Sequence, residues 1–179
     1  MAKKRKESEL LDRQPPSDIA AERELLAGLY MTDCTANDNR AAHAFDNLDA
    51  MDFYDKFHAA VFDVMRVAWV KGEPFQTAAT FLHACRVLGQ NKSDRCSELM
   101  YAMREIGVAN NIPWYCKRLR SLRKRRACVA LASELLRRSF DDATEPGEWM
   151  LYATEHIDQF SRIGDGNGGS TERHGVGQG

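Results

Sequence analysis

Seven of the ten side chains in KRLRSLRKRR, residues 117 to 126, are cationic. Lys117, Arg118, Arg120, Arg123, Lys124, Arg125 and Arg126 could each neutralise a phosphate and release its counterions, the chemistry of salt-sensitive nucleic-acid binding. Leu119 and Leu122 sit inside the run and Val129 continues their stripe. That spacing offers a competing assignment, in which the cations are the solvated face of a long helix and pair with acids of a neighbouring subunit. No aromatic residue interleaves the run to stack a base. Elsewhere the search for chemistry is negative. His83 and Cys85 lie two apart, and His58 shares a helix with Asp55 and Asp63, but none shows the paired spacing that a metal on one helical face requires. There is no GxxxxGK[ST] to cradle a nucleotide phosphate and no GxSxG turn, and the acids are scattered. No catalytic, cofactor-binding or metal-ligating residue is assigned, and ATP with Mg would enter only with a separate chain.

Composition bounds the classes of partner. Lysine and arginine total 25 against 26 acids, a formal charge of -1 that gives no global attraction to nucleic acid or membrane. Any basic site is therefore local. The five cysteines, Cys34, Cys85, Cys96, Cys116 and Cys128, are odd in number and form no CxxC pair, which argues against a disulfide framework or a zinc finger. They read as thiols of a reducing cytoplasm. The basic start MAKKRKESEL leads into no apolar segment, and nowhere do eighteen apolar residues run together, so neither export nor a membrane span is expected.

The elements that must position these side chains are helices. Residues 1–14 are charged and 164–179 are glycine-rich; both are expected to be disordered tails, because neither buries enough to offset its ordering entropy. Between them, Ser17 is the expected cap of a helix over 18–31, with Ile19, Leu25, Leu26 and Leu29 as a stripe that only Glu22 interrupts. A short helix follows at 40–48. Phe53, Phe57, Val61, Phe62, Met65 and Trp69 then recur at three- and four-residue steps, and Gly72 stands where a C-cap would. Ala78, Phe81, Leu82, Cys85 and Leu88 form the next stripe, closed by Gly89, and SDRCSELMYAMREIG ends at Gly107 in the same way. Stripe, glycine and polar turn in repetition describe an all-α bundle of short antiparallel helices over 15–110.

Beyond it, 112–140 reads as one long helix with Pro113 in its first turn, followed by a helix carrying Trp149, Tyr152, Ala153, His156, Ile157 and Phe160. The two make a helical hairpin over 111–163 that projects from the bundle. Trp114, Leu119, Leu122, Val129, Leu135, Trp149, Tyr152 and Ile157 are the expected stripe for an oligomer or partner contact. Trp114 and Tyr115 could join Trp149 and Tyr152 as an aromatic anchor for another protein, or the four could simply pack together at the base of the hairpin.

Three blocks, in order, resemble the N-terminal (collar) domain of DnaB-type replicative DNA helicases. PPSDIAAERELLAGLYMTD carries Ala21, Glu22, Leu26, Gly28 and Asp33. The second block carries Phe53, Tyr54, His58, Phe62, Gly72, Pro74 and Thr80. The third carries Ala109, Asn110, Tyr115, Leu119 and Arg126. Gln76 departs from the family, which commonly has Asp there. The resemblance, over 15–160, implies a collar that pairs its hairpins in a ring, contacts primase and helicase loaders, and joins a RecA-like ATPase through a linker. GDGNGGSTERHGVGQG falls where that linker would begin, so the motor is expected to be absent from this chain. The function implied is a non-catalytic oligomerisation and protein-interaction module of DNA replication: a homo-oligomer, or a partner of primase, loader or a helicase ring. The alternatives are the collar half of a split helicase whose motor is another polypeptide, and an adaptor that binds nucleic acid through its basic helix.

Overall fold

The computed structural model describes residues 14–32, 39–75, 77–87, 93–105, 111–140 and 145–162. Asp33, Gln76, Leu88, Gly89, Gly107, Ala109 and Asn110 lie outside the described residues, as do residues 1–13 and 164–179 of the expected tails. The fold is all-α, with α1 (Ile19–Tyr30), α2 (Asn39–Asn47), a 3-10 turn (Ala50–Asp52), α3 (Lys56–Lys71), α4 (Ala78–Val87), α5 (Ser93–Glu105), α6 (Ile112–Ser139) and α7 (Pro146–Arg162), and no strand occurs among the described residues.

α1 is the central helix. Leu25, Leu26, Ala27 and Leu29 are fully buried, because α5 and α6 pack on it from different sides and α3 meets it as well. Its cap is Asp18, not Ser17: the Asp18 carboxylate accepts the Ala21 N–H at 3.1 Å. Either residue type caps well, and a tertiary contact settles the choice, since Asp18 also takes the Arg118 guanidinium at 3.0 Å.

The entry to α3 is a sequence of local caps. Asp49 accepts the Met51 N–H at 2.7 Å, and Asp52 reaches back to the Asp49 N–H at 2.8 Å, a reciprocal capping box. Asp55 then accepts the N–H groups of Phe57 and His58. α3 buries Phe57, Val61, Phe62 and Met65, and stops at Gly72, whose φ of 71° is open to glycine at little cost. Phe45, Phe53, Phe62, Trp69 and Phe75 form one aromatic cluster, with ring centroids 4.9 to 6.0 Å apart. In α4 the inner face is Phe81, Ala84 and Cys85. Leu82, expected on that face, is 45% exposed, because it lies one 100° step beyond Phe81.

α6 has two unlike halves. Asn111 caps it, accepting the Trp114 N–H at 3.3 Å, and Pro113 occupies the first turn. Ile112, Cys116, Leu119 and Leu122 are buried against the bundle, where α1, α2 and the 3-10 turn meet α6. Past Leu122 the only buried residue of α6 is Leu131, and α7 is its main companion. At 1.5 Å per residue the 28-residue helix runs about 42 Å, so its far half stands clear of the core.

Candidate interaction surface

Glu22, the residue that breaks the apolar stripe of α1, is a buried junction. Its side chain is 1% exposed. It accepts the Tyr54 N–H at 2.6 Å and the Asp55 N–H at 3.3 Å, and the His58 Nδ1 lies 2.8 Å from its Oε2. With a carboxylate as acceptor, the imidazole carries its proton on Nδ1. One acid thus ties α1 to the start of α3, and Arg126 of α6 lies within its electrostatic reach. The signal was present in the sequence: a carboxylate inside an apolar stripe has to find donors, and DxxH with Tyr54 supplies them.

The basic run divides in two. Four of its cations are held by this chain's own bundle. Arg118 pairs with Asp18, and Arg120 donates to the Asn47 carbonyl at 2.7 Å and to its side-chain oxygen at 3.0 Å. Arg123 bonds Asp49 at 2.7 Å and lies 3.5 Å from Asp52. Burial pushes the Asp52 carboxyl up, and Asp49 beside it adds to that, against the pull of the Asp49 N–H and Arg123. Arg126 donates to three backbone carbonyls, those of Pro16 at 3.2 Å, Met51 at 3.2 Å and Asp52 at 2.7 Å. The acids that answer these arginines therefore belong to the same chain and not to a neighbouring subunit. Lys117, Lys124 and Arg125 have no partner among the described residues and are the cations of the run left for another molecule.

Two neighbours in the sequence are thus expected to respond differently. Arg126→Ala should cost about 2–3 kcal/mol by stranding its carbonyl acceptors, while Arg125→Ala should stay within about 0.5 kcal/mol. Lysine at 126 should restore little, since a point charge cannot fork to three acceptors. Thermal unfolding midpoints of the three variants check this; equal losses at 125 and 126 would remove the clamp.

The expected contact stripe is distributed along the whole of α6. Leu119 and Leu122, at 0% and 3% exposure, belong to the bundle's own core and are not presented to a partner. They are buried where this half of α6 packs on α1, α2 and the 3-10 turn. Trp114 and Tyr115 stack edge to face with centroids 5.0 Å apart, and Glu24 of α1 holds the Tyr115 hydroxyl, raising its pKa to about 12. Tyr152 instead lies under Arg138, 4.1 Å from ring centroid to guanidinium carbon, and against His156. Arg138 and Trp114 are 24 residues apart on one helix, about 36 Å, so the two aromatic pairs neither pack together nor form a single anchor.

What the far half of the hairpin does present is apolar. Val129, Leu136 and Phe140 on α6 are 47%, 42% and 81% exposed, and Met150, Leu151 and Ile157 on α7 are 61%, 62% and 58% exposed. Leu135, Trp149 and Tyr152 are half-buried between the helices. Leu136, Phe140, Met150 and Leu151 were not singled out in the sequence. The signal was adjacency: Trp149, Met150 and Leu151 span about 200° of a helix at 100° per residue, too wide for all to face α6. Glu134 braces the tip, bonding Arg137 and Arg138 at 2.7–2.8 Å, and these bonds, Arg137 first, lower its pKa to about 2. Among the described residues no cluster of His, Cys, Asp and Glu could hold a metal ion, and no helix is long and apolar enough to cross a membrane.

The described residues thus form an all-α bundle that clamps the base of a helical hairpin. Residues 14–121 match the family model of the DnaB-like helicase N terminal domain, and the chain belongs to that family. Among solved structures, it is similar to the crystal structure of the N-terminal domain of DnaB helicase from Mycobacterium tuberculosis. The TM-score is 0.68 at 21% identity, over 82% of this chain and 99% of that one, a likeness that shows the fold. No curated protein matches. Of the residues that carried the resemblance, Ala21, Glu22, Leu26, Phe53, His58, Phe62 and Thr80 are buried, and Tyr54, Gly72 and Pro74 are exposed.

Proposed function

We propose that this chain acts in DNA replication by association, as a cytoplasmic collar module that pairs its hairpin with another of the same kind. The partner hairpin comes from a second copy or from the collar of a helicase ring, and primase or a helicase loader meets the assembled collar. The observation that carries this reading is the apolar set on the far half of the hairpin, six large side chains between 42% and 81% exposed on two mutually packed helices. A second apolar helix pair covers such a surface, and the removal of that area from water supplies the affinity. Val129, Leu135, Trp149, Tyr152 and Ile157 of the expected stripe remain at this surface. The four bundle-bound arginines hold the base of α6 still, so the surface is offered in a fixed orientation and little ordering has to be repeated on binding.

Light scattering after size exclusion, on the full chain at micromolar concentration, tests the pairing. Wild type is expected as a dimer or larger ring. Leu151→Asp and Ile157→Asp should give monomers with unchanged far-UV circular dichroism and at least tenfold weaker self-association, since each places a charge in a desolvated contact. A monomeric wild type would eliminate self-pairing.

A further inference from the structure

Cys85 on α4 and Cys96 on α5 are both buried, at 5% and 4% exposure. Their sulfurs lie 2.6 Å apart. Neither is in a disulfide, and the Cys96 thiol also donates to the Phe81 carbonyl at 3.3 Å, which orients it toward α4. The collar reading makes no use of this pair. The other thiols differ in kind: Cys116 is buried without a sulfur neighbour among the described residues, and Cys128 is exposed on the outer face of α6.

We propose that Cys85 and Cys96 form a redox-modifiable pair, which a small peroxide converts into a covalent bridge between α4 and α5. A disulfide needs two sulfurs brought together with their side chains converging, and the packing of α4 against α5 already does this. The reaction balances with hydrogen peroxide as oxidant. One sulfur attacks a peroxide oxygen and becomes a sulfenic acid, while the displaced hydroxide leaves with the thiol's proton as water. The second sulfur attacks the sulfenic sulfur, forms the S–S bond, and expels the sulfenic hydroxyl with its own proton as a second water. Two thiols are oxidised by one electron each, and the two peroxide oxygens take up both electrons. The site favours small oxidants, because both residues are nearly fully buried. Burial, followed by the hydrogen bond and charge of Cys85, pushes the Cys96 thiol up to about 12, so Cys96 rests as a thiol at neutral pH and the bridge forms faster as pH rises.

The bridge closes a short loop and ties α4, which packs on α3, to α5, which packs on α1. It thus staples one flank of the bundle and restricts the unfolded chain.

The full chain, treated natively with a small excess of hydrogen peroxide, is digested with trypsin without reductant. Arg86 and Arg95 lie between the two cysteines and place them in separate peptides. The expected result is a linked pair of peptides carrying Cys85 and Cys96 that dithiothreitol separates. The thiol count in denaturant should fall from five by two, to three. Cys85→Ser and Cys96→Ser should each abolish the link, and Cys128→Ser should leave it intact, so the result does not depend on any one variant folding. Five surviving thiols, oxidation of Cys96 to the sulfinic acid without a link, or a link made through Cys128 between chains would each overturn the proposal.

Discussion

Glu22→Ala is expected to lower the stability of the bundle by about 3–5 kcal/mol, enough to bring a domain of ordinary stability, about 5–15 kcal/mol, close to unfolding. The loss follows from the donors left behind. Tyr54 and Asp55 lose the carboxylate that accepts their part-buried N–H groups, and His58 loses the carboxylate 2.8 Å from its Nδ1. The damage spreads because Asp55 is itself the cap of α3, so loosening its backbone also exposes the N–H groups of Phe57 and His58. Glu22→Gln keeps one oxygen for Tyr54 and should cost less, about 1–2 kcal/mol. Urea unfolding followed by circular dichroism separates the two variants. An unchanged midpoint for the alanine variant would mean that the junction contributes nothing, and equal losses in both would mean that charge, not acceptor geometry, is what α3 requires.

Leu122→Asp is expected to have a comparable or larger effect, about 4 kcal/mol or more, by placing an unpaired charge in the bundle core. Leu122 is 3% exposed, whereas Ile157, on the same hairpin, is 58% exposed. Ile157→Asp should therefore leave the melting curve of the isolated subunit nearly unchanged and act on assembly alone. The contrast distinguishes two models of the hairpin. If α6 were a free-standing apolar helix along its whole length, aspartate at either position would yield a folded monomer. If its first half belongs to the bundle, aspartate at 122 abolishes the fold and aspartate at 157 abolishes only the pairing. A well-folded Leu122→Asp monomer would contradict the burial on which this division rests.

Much of this architecture was legible in the residues themselves. The long helix predicted over 112–140 runs from Ile112 to Ser139, the helix over 18–31 runs from Ile19 to Tyr30, and Gly72 ends α3 in the left-handed conformation. These features are local: a cap, a stripe at helical spacing and a glycine each act within a few residues of themselves. Of the residues that carried the resemblance to a helicase N-terminal domain, Ala21, Glu22, Leu26, Phe53, His58, Phe62, Thr80 and Leu119 prove to be buried, whereas Tyr54, Gly72 and Pro74 are exposed. The cap at Asp18 was missed by one residue because its choice depends on Arg118, a hundred positions away.

The meaning of the basic run was decided by tertiary structure alone. In the sequence its seven cations are equivalent, and its two leucines continue the stripe at Val129. In the fold, α6 crosses α1 and the 3-10 turn, so Arg118, Arg120, Arg123 and Arg126 meet Asp18, Asn47, Asp49 and the carbonyls of Pro16, Met51 and Asp52, while Leu119 and Leu122 enter the core. Helical periodicity states which side chains share a face, but it cannot state which face another element covers, because that depends on partners 70 to 110 residues distant. The sequence by itself determined an all-α chain, the break at Gly72 and the family. Long-range packing decided which half of the long helix is core and which is surface, and it brought two cysteines from separate helices into contact.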